Sequence, residues 1–446
     1  MRVVLAGYNV DAAILERARR REGEGVTPEA LAASYARISR DPRSVGALRA
    51  EALRDVAKAR RSNERIVFGL GHASVAEHAV LNFDVTGLSR LAVEEIEHFR
   101  LASFTEKSQR YIRLGRDLVV PPEIRRTAAE RPFRRVVERL CVRYEETYRA
   151  LIGAGMEAGA AKEDARYLMP LATATQFGMT ANARELEYMI MRLAAHPLAE
   201  LRSLSRALYR ASKSVVPSLI RYPTPTEHWG AMPQARREIG SYARGSRPAP
   251  WTGRPATLAA ATPGAERRLA ACLVYSSGAF SMAEASRAAR DLSASAIDRI
   301  VRTTMRRLGP HDAAWREFEC VELLFDLVVS ASCYAQLKRH RMATILPQEY
   351  DLALGVSMPA TVESAGAGAI LRSGAREAER FYRAHRRSLG AAASYALTNA
   401  HRRRTLFKCN LRELYHFSRL RCDEAAQWEI RAMGQAALRM LHTLAP

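Results

Sequence analysis

Three short segments find an echo later in this 446-residue chain, in the same order and at nearly the same spacing. Leu31-Ala32-Ala33 returns as Leu269-Ala270-Ala271, and Asn82-Phe83-Asp84-Val85 returns as Leu324-Phe325-Asp326-Leu327. Asn182-Ala183-Arg184-Glu185-Leu186 returns as Asn410-Leu411-Arg412-Glu413-Leu414. A repeat of domain size constrains the fold more than local propensity does, because each copy must bury its apolar face in the same manner. The sequence therefore predicts two diverged tandem domains, 1–220 and 268–446. Residues 221–267 hold Arg221-Tyr222-Pro223-Thr224-Pro225 and Gly245-Ser246-Arg247-Pro248-Ala249-Pro250, too rich in proline and glycine for regular structure, and read as a linker.

Each copy has a helix-rich pattern with a few short strands. Val80 to Val85 alternates like a half-buried strand, with Gly87 following as a turn residue. Helical periodicity covers Glu94 to Ala102 and Glu413 to Ala437, the latter with Leu414, Phe417 and Leu420 on one side. The expected fold class is α+β, two tandem copies of a small sheet flanked by helices.

Hydrophobic residues make up 48% of the chain, which excludes disorder as its main state. The longest apolar region, Leu323 to Leu337, is broken by Asp326 and falls short of the roughly 18 residues of a membrane span, so no membrane partner is expected. The N-terminal apolar stretch is too short for a signal peptide, which points to the cytoplasm. Sixty-nine Lys and Arg against 47 Asp and Glu leave a net charge of +22. That excess raises the potential around any cleft and favours phosphates and carboxylates, without requiring a nucleic-acid surface. The cysteines, Cys141, Cys272, Cys320, Cys333, Cys409 and Cys422, show neither a CxxC pair nor zinc-ligand spacing and are expected as buried free thiols. None has a polar context that would activate a thiolate.

The densest polar stretch is His98-Phe99-Arg100-Leu101-Ala102-Ser103-Phe104-Thr105-Glu106-Lys107-Ser108-Gln109-Arg110-Tyr111. From composition alone it also reads as a helix end capped by Ser and Thr. Its order resembles the signature of the flavin-dependent thymidylate synthases, R-H-R-x-x-S-x-N-E-x-S-x-R-Y. Arg100, Ser103, Glu106, Ser108, Arg110 and Tyr111 fit, whereas His98, Phe99 and Thr105 depart. Upstream, Gly71-His72-Ala73-Ser74-Val75-Ala76-Glu77-His78 is similar to the family's histidine–glutamate segment. Downstream, Glu163-Asp164-Ala165-Arg166, Leu168-Met169-Pro170-Leu171 and Thr180-Ala181-Asn182-Ala183-Arg184 match its later landmarks. In the second half Gln336-Leu337-Lys338-Arg339-His340-Arg341 keeps the start of the signature, but Pro347, Glu349 and Asp351 replace its glutamate, serine and arginine. The stretch from Asn410 through Arg421 to Ala426-Gln427-Trp428-Glu429-Ile430-Arg431 is the closest family match in the chain.

The two halves have lost complementary parts. In the family, each site takes the glutamine and arginine–histidine–arginine from one subunit and the glutamate-x-serine-x-arginine from another. Here the resemblance implies one kept composite site, with Gln336, Arg339, His340, Arg341 and Arg421 from the second half and Glu106, Ser108, Arg110 and Arg166 from the first. His98 and Phe99 with Pro347, Glu349 and Asp351 mark the decayed mirror site. Between Arg184 and Arg192 the first-half helix is one residue shorter than the family pattern, a rotation of about 100° that makes Arg192 a weak counterpart of Arg421.

The family implies reductive methylation of dUMP to dTMP, with FAD as cofactor and methylenetetrahydrofolate and NADPH as co-substrates. Substrate binding falls to Gln336, Arg339, Glu106, Lys107, Ser108, Gln109, Arg110, Arg166 and Arg421, with Arg421 and Ser108 acting in catalysis. Cofactor binding falls to His72, Ser74, Arg339, His340, Arg341, Glu106, Asn182, Arg184, Asn410, Arg412 and His416. Chemically, guanidinium forks suit a phosphate dianion, and Arg421 near a uracil carbonyl would stabilise a deprotonated ring nitrogen. Arg412 and His416, at i and i+4, address one side of their helix, with Arg421 roughly opposite. The chain has no Gly-x-Gly-x-x-Gly, since Gly69-Leu70-Gly71 lacks the third glycine, so flavin binding through a Rossmann turn is excluded. The family tetramer of one-domain chains implies a homodimer of tandem chains. Two alternatives stay open: a flavoprotein paralogue acting on another pyrimidine nucleotide, suggested by Thr105 and by the missing family histidine near Ala425, and a non-catalytic basic descendant that binds nucleic acid.

Overall fold

The computed structural model describes residues 1–11, 27–37, 45–69, 72–110, 112–242, 251–309 and 311–444. Tyr111 of the signature lies outside them. The chain forms two units. The first comprises Met1–Glu145, Met169–Pro248 and Arg376–Leu397, and the second Glu146–Leu168, Ala249–Ala375 and Thr398–Pro446. Each unit thus contains a strip of sequence from the other half.

The first unit is built on an antiparallel sheet of β1 (Arg2–Tyr8), β2 (Val80–Ser89), β3 (Ala102–Glu106) and β4 (Ala174–Asn182), in the order β1-β2-β4-β3. Leu81, Phe83 and Val85 are buried between exposed Asn82, Asp84 and Thr86, as period-2 alternation requires of a strand with one covered face. Gly87 is not a turn after this strand. It lies inside β2 at a register shift between Thr86 and Leu88, with φ 71°, and a Cβ there would stand 3.3 Å from the Met1 nitrogen.

Ser89 ends β2 and its hydroxyl caps α1 (Arg90–Ile96) by accepting the Ala92 amide. This helix begins and ends before the span expected for it, because the chain must reverse through 97–101 to enter β3 beside β4. Helices α2 (Glu130–Gly153), α3 (Ala183–Ala194) and α4 (Glu227–Ser241) follow. The residues of α2 as far as Glu145 belong to this unit, where Phe133 packs on Phe381 and Arg139 pairs with Glu377 at 2.8 Å.

The second unit repeats the design. Strands β5 (Ala256–Ala261), β6 (Glu322–Ser330), β7 (Thr344–Pro347) and β8 (Arg402–Asn410) form an antiparallel sheet in the order β5-β6-β8-β7. Its core holds Leu323, Phe325, Leu327 and Val329 with Phe407, Leu414 and Phe417. β6 pairs with β8 without the shift seen at Gly87, which accounts for one residue of the unequal spacing between the repeats. Around it lie α5 (Ala331–Leu337), the opening turns of α6 (Gly368–Leu389), whose residues from Arg376 onward belong to the first unit, α7 (Leu411–Arg421) and α8 (Trp428–Leu444). The single helix expected over 413–437 is two helices: Asp423 accepts the Ala425 amide in the intervening turn, and the Gln427 side chain accepts the Ile430 amide to start the next one.

The stretch 221–267 is likewise not irregular throughout, since it contains α4 and β5. Five small apolar or hydroxyl residues beside Leu258 make a short edge strand that pairs with β6 despite the neighbouring prolines. The expected copies 1–220 and 268–446 coincide with the two units only in part.

Each unit has the same buried knot where its second strand ends. In the first, Ser89 donates from both its amide and its hydroxyl to Glu200, and the Tyr395 hydroxyl donates to the same carboxylate at 2.7 Å. In the second, Ser330 does so to Glu429, joined by Ser357 and by the Tyr167 hydroxyl at 2.7 Å. Burial raises the Glu200 carboxyl, and these donors pull it back. The tyrosine is the exchanged element: Tyr395 of the second half serves the first unit, and Tyr167 of the first half serves the second. Among the described residues no helix is long and apolar enough to cross a membrane.

Candidate functional site

Gln336 lies in the last turn of α5, and the chain leaves the helix at Lys338, so Arg339 and His340 stand on the following turn rather than on its face. Arg339 and Arg341 are exposed, with Arg339 Nε reaching the Ala335 carbonyl at 3.3 Å. His340 is 4% exposed. At the end of α7, Arg421 donates from Nε to His340 Nε2 at 3.0 Å and from Nη1 to Gln336 Oε1 at 3.2 Å. The other ring nitrogen of His340 faces Glu413 Oε1 at 3.0 Å. His340, read as a flavin contact, is therefore engaged on both nitrogens inside the protein.

Arg166 is buried in this unit, its carbonyl accepting the Asn399 side chain at 3.0 Å. Burial and then the Glu429 carboxylate push the Cys333 thiol well above its ordinary value, while Arg421 and Arg166 pull it down. Both guanidinium groups thus act on one buried thiol, and a first-half residue shares a unit with Gln336 and Arg421.

On the other side of α7, Arg412 pairs with Glu319 at 2.7 Å and with the Ala314 carbonyl at 2.8 Å. It lines a cavity of about 610 Å³ with Asn410, Glu413, His416, Arg419 and the apolar Met342 and Leu420. Arg412, His416 and Arg419 stand beside this apolar wall, and the carboxylates of Asp312, Glu319 and Glu413 share the lining. Asn410 is also the N-cap of α7, accepting the Glu413 amide, and Asn182 caps α3 in the same way at Glu185. Capping accounts for both asparagines without a ligand.

In the first unit Glu106 ends β3. Its side chain, 3% exposed, pairs with the buried Arg90 and accepts from Thr175 Oγ1 at 3.0 Å. Burial opposes the charge on Arg90, but Glu106, with Glu97 and Glu94, outweighs it and holds the guanidinium above its ordinary value. Lys107 is exposed and donates its amide to the Gln176 carbonyl. Ser108 Oγ accepts the Arg110 amide at 3.1 Å, Gln109 is buried, and Arg110 is half-buried. His72 and Ser74 are exposed at a 3₁₀ turn, and Arg184 pairs with Glu77 at 2.5 Å. Of the cysteines, Cys141, Cys272, Cys333 and Cys409 are buried, Cys422 is partly so, and Cys320 is exposed, contrary to expectation.

The sequence matches the family described as thymidylate synthase complementing protein over residues 25–218 and again over 257–446. The chain belongs to this family. Relatives named flavin-dependent thymidylate synthase include those of Geobacter sulfurreducens, 33% identical over 181 residues (40% of this chain, 75% of the relative), and Thermococcus onnurineus, 34% over 130 residues (28% and 50%). A third, from Clostridium tetani, is 28% identical over 231 residues (48% and 90%). The matched stretches thus span from half to nine tenths of the relatives' own lengths. Among solved structures, the flavin-dependent thymidylate synthase of Helicobacter pylori complexed with FAD and dUMP is 22% identical, covering 50% of this chain and 100% of that one at a TM-score of 0.32. A UMP/dUMP methylase of Streptomyces cacaoi bound with 5-Br dUMP is 20% identical, covering 49% and 91% at 0.37.

This tandem flavin-dependent thymidylate synthase relative carries the family pattern twice, and its strand registers show what fills the positions each copy has lost. In the first unit Phe99 stands where the second has His340, Glu95 where it has Gln336, and Leu193 where it has Arg421. Arg192, one residue out of register, lies over three rings: Cζ is 4.9 Å from the Trp229 centroid and 5.7 Å from those of Phe99 and Tyr188. In the second unit Ala331, Pro347 and Arg403 replace Arg90, Glu106 and Thr175. The Arg403 guanidinium sits between Tyr334 and Tyr350, 3.8 and 4.5 Å from their centroids. The sequence reading missed Arg90, Thr175 and Glu413. Glu413 had a signal, since Asn-x-Arg-Glu-Leu recurs in both halves.

Proposed function

We propose that the chain is an FAD-dependent thymidylate synthase that methylates dUMP to dTMP, using methylenetetrahydrofolate for carbon and NADPH for electrons. The observation that carries this reading is the fixed Arg421, hydrogen-bonded to Gln336 and His340 in a unit that also contains Arg166. Arg421 supplies positive charge for a uracil carbonyl, which favours loss of the ring N–H proton and makes C5 more nucleophilic. Gln336 orients the same base. Arg166 and Arg110 suit the phosphate dianion, with Ser108 as a hydroxyl donor. Arg339, Arg341, Arg412 and His416 would hold FAD, which when bound supplies the hydride. Glu106, locked by Arg90, serves as a fixed anion at the edge of the pyrimidine-side residues rather than as a mobile ligand.

The reading assigns one site per chain, with residues from both copies, 1–220 and 268–446, and a cytoplasmic homodimer as the assembly. Its support is that Gln336, Arg339, His340 and Arg421 survive only in the second copy and Glu106, Ser108 and Arg110 only in the first, while Phe99, Leu193 and Pro347 fill three of the vacated positions. The test is the absorption spectrum of the purified chain and a dUMP titration of its flavin band. The wild type should be yellow and its band perturbed by dUMP, and Arg421→Ala and Arg110→Ala should each abolish the perturbation. A colourless chain that cannot be reconstituted with FAD would overturn the proposal in favour of a non-catalytic basic protein.

A further inference from the structure

Arg421 can only donate hydrogen bonds, because a guanidinium has no acceptor. Its Nε lies 3.0 Å from His340 Nε2, so that ring nitrogen must carry a lone pair. The histidine proton is then on Nδ1, 3.0 Å from Glu413 Oε1, and is donated to the carboxylate. The His340 and Glu413 side chains are 2% and 8% exposed, so water does not compete for the bond between them. We infer that Glu413 is a positioning residue: through His340 it fixes the guanidinium plane of Arg421 for the pyrimidine ligand. This role rests on the functional reading above, which leaves Glu413 without one.

The physical content is tautomer selection. Without an acceptor at Nδ1, the ring can place its proton on Nε2, and an N–H would then face the N–H of Arg421. With Glu413 in place, Arg421 meets two acceptors, the His340 lone pair and the Gln336 carbonyl, both anchored at the end of α5. Two acceptors on different nitrogens of the planar group define its plane. His340 is faced from α7 by Glu413, Arg421 and His416, with the Phe417 ring 4.7 Å away, and its own turn carries Lys338, Arg339 and Arg341. Burial lowers its affinity for a proton, the Glu413 hydrogen bond raises it and Arg421 lowers it again; the balance keeps the ring neutral.

The first unit supplies an internal control. Glu185 occupies the same place after the Asn182 cap, but Phe99 and Leu193 stand where His340 and Arg421 would be, and Glu185 accepts the Leu101 amide instead. The helix start alone therefore does not dictate that the carboxylate meets a histidine.

The experiment uses the FAD-reconstituted full chain, with dUMP binding measured by calorimetry and dTMP formation by kcat and KM between pH 5 and 8. Glu413→Ala should weaken dUMP binding about tenfold or more, the scale of losing support for a hydrogen bond to a charged group. Glu413→Gln, whose carbonyl still accepts from Nδ1–H, should restore most of it. His340→Gln, whose carbonyl can stand in for Nε2, should lose the acid-side fall in dUMP affinity. That fall follows protonation of His340, which abolishes its lone pair. Removing Glu413, which favours the protonated ring, should move the fall to lower pH. A role in packing alone would weaken binding without moving it. The inference is overturned if Glu413→Ala binds dUMP within twofold of wild type, if its acid limb stays in place, or if Glu413→Gln is as impaired as Glu413→Ala. Far-UV circular dichroism identifies any variant that fails to fold, and Glu413→Gln then decides alone. A wild type that binds no dUMP fails the functional reading and this role with it, whereas binding indifferent to Glu413 fails the relay only.

Discussion

Replacing Arg90 by methionine asks whether Glu106 is held as a buried anion. The two side chains are 5% and 3% exposed, and Thr175 is the other donor to the carboxylate. Methionine keeps much of the aliphatic stem and removes the charge. Breaking a buried pair by deleting one partner costs about 3–5 kcal/mol. The remaining Thr175 bond, with a net worth of about 1 kcal/mol, places the expected loss near the lower end, about 3 kcal/mol at pH 8. The assay is urea unfolding of wild type, Arg90→Met, Glu106→Gln and the double variant. Because the double variant removes the stranded charge, it should recover about 2 kcal/mol of the loss. A pH series gives the sign. In Arg90→Met the folded Glu106 carboxyl titrates above its unfolded value of about 4.3. The penalty is therefore absent below that value and grows as pH rises towards the folded one. The gap to wild type should narrow as pH falls from 8 to 5. An equal gap at both pH values, or a double variant no more stable than Arg90→Met, would refute a charged Glu106.

Tyr395→Phe removes a donor from the buried Glu200 carboxylate and should cost about 1.5–3 kcal/mol; because Tyr395 belongs to the first unit, hydrogen exchange should quicken in β2 and β4 rather than in β6 and β8. Arg192→Ala should cost only about 0.5–1 kcal/mol from lost ring contacts and leave dUMP binding unchanged, while Arg421→Ala abolishes it; equal effects on binding would show that the first copy keeps a working mirror site. His196, lowered to about 4 by burial with Arg192, Arg202 and Arg236 nearby, takes up its proton in the unfolded chain near 6.5 but in the fold only near 4. Stability should therefore decline as pH falls from about 6.5 to about 4, and His196→Asn, whose carbonyl can still accept the Leu198 amide, should flatten that part of an acid-unfolding curve.

Strand β2 and the tandem plan were legible because alternation and a repeat of domain size are both written in the order of residues, whereas Asn182 and Asn410 were read as cofactor ligands and are helix caps in the fold. The helix limits at 94–102 and 413–437 were not legible. Periodicity does not register that the chain must turn back to place β3 beside β4, nor that the Asp423 and Gln427 side chains take over amides that would otherwise continue a helix. Gly87 was misplaced because a bulge and a turn both call for the same positive φ, and only strand pairing distinguishes them. At the site, residue types were easier to find than their partners. Arg421 and His340 were singled out for two different ligands, but their hydrogen bond joins positions 81 apart in sequence, beyond any spacing rule. Glu106 was chosen as a ligand group, and its closure by Arg90 depends on β3 and α1 meeting in space.

The exchanged tyrosines also bear on how the chain is made. Glu200 is synthesised long before Tyr395, and the first sheet long before the strip 376–397 that completes its unit. A ribosome that has released the whole first copy has therefore not yet supplied everything that copy buries. The waiting chain carries an acidic group in a half-built core until nearly the last strand emerges. Severing the chain between α4 and β5 should yield two fragments that are each poorly soluble alone and that recover structure when expressed together, so the duplication behaves as one folding unit despite being two copies in sequence.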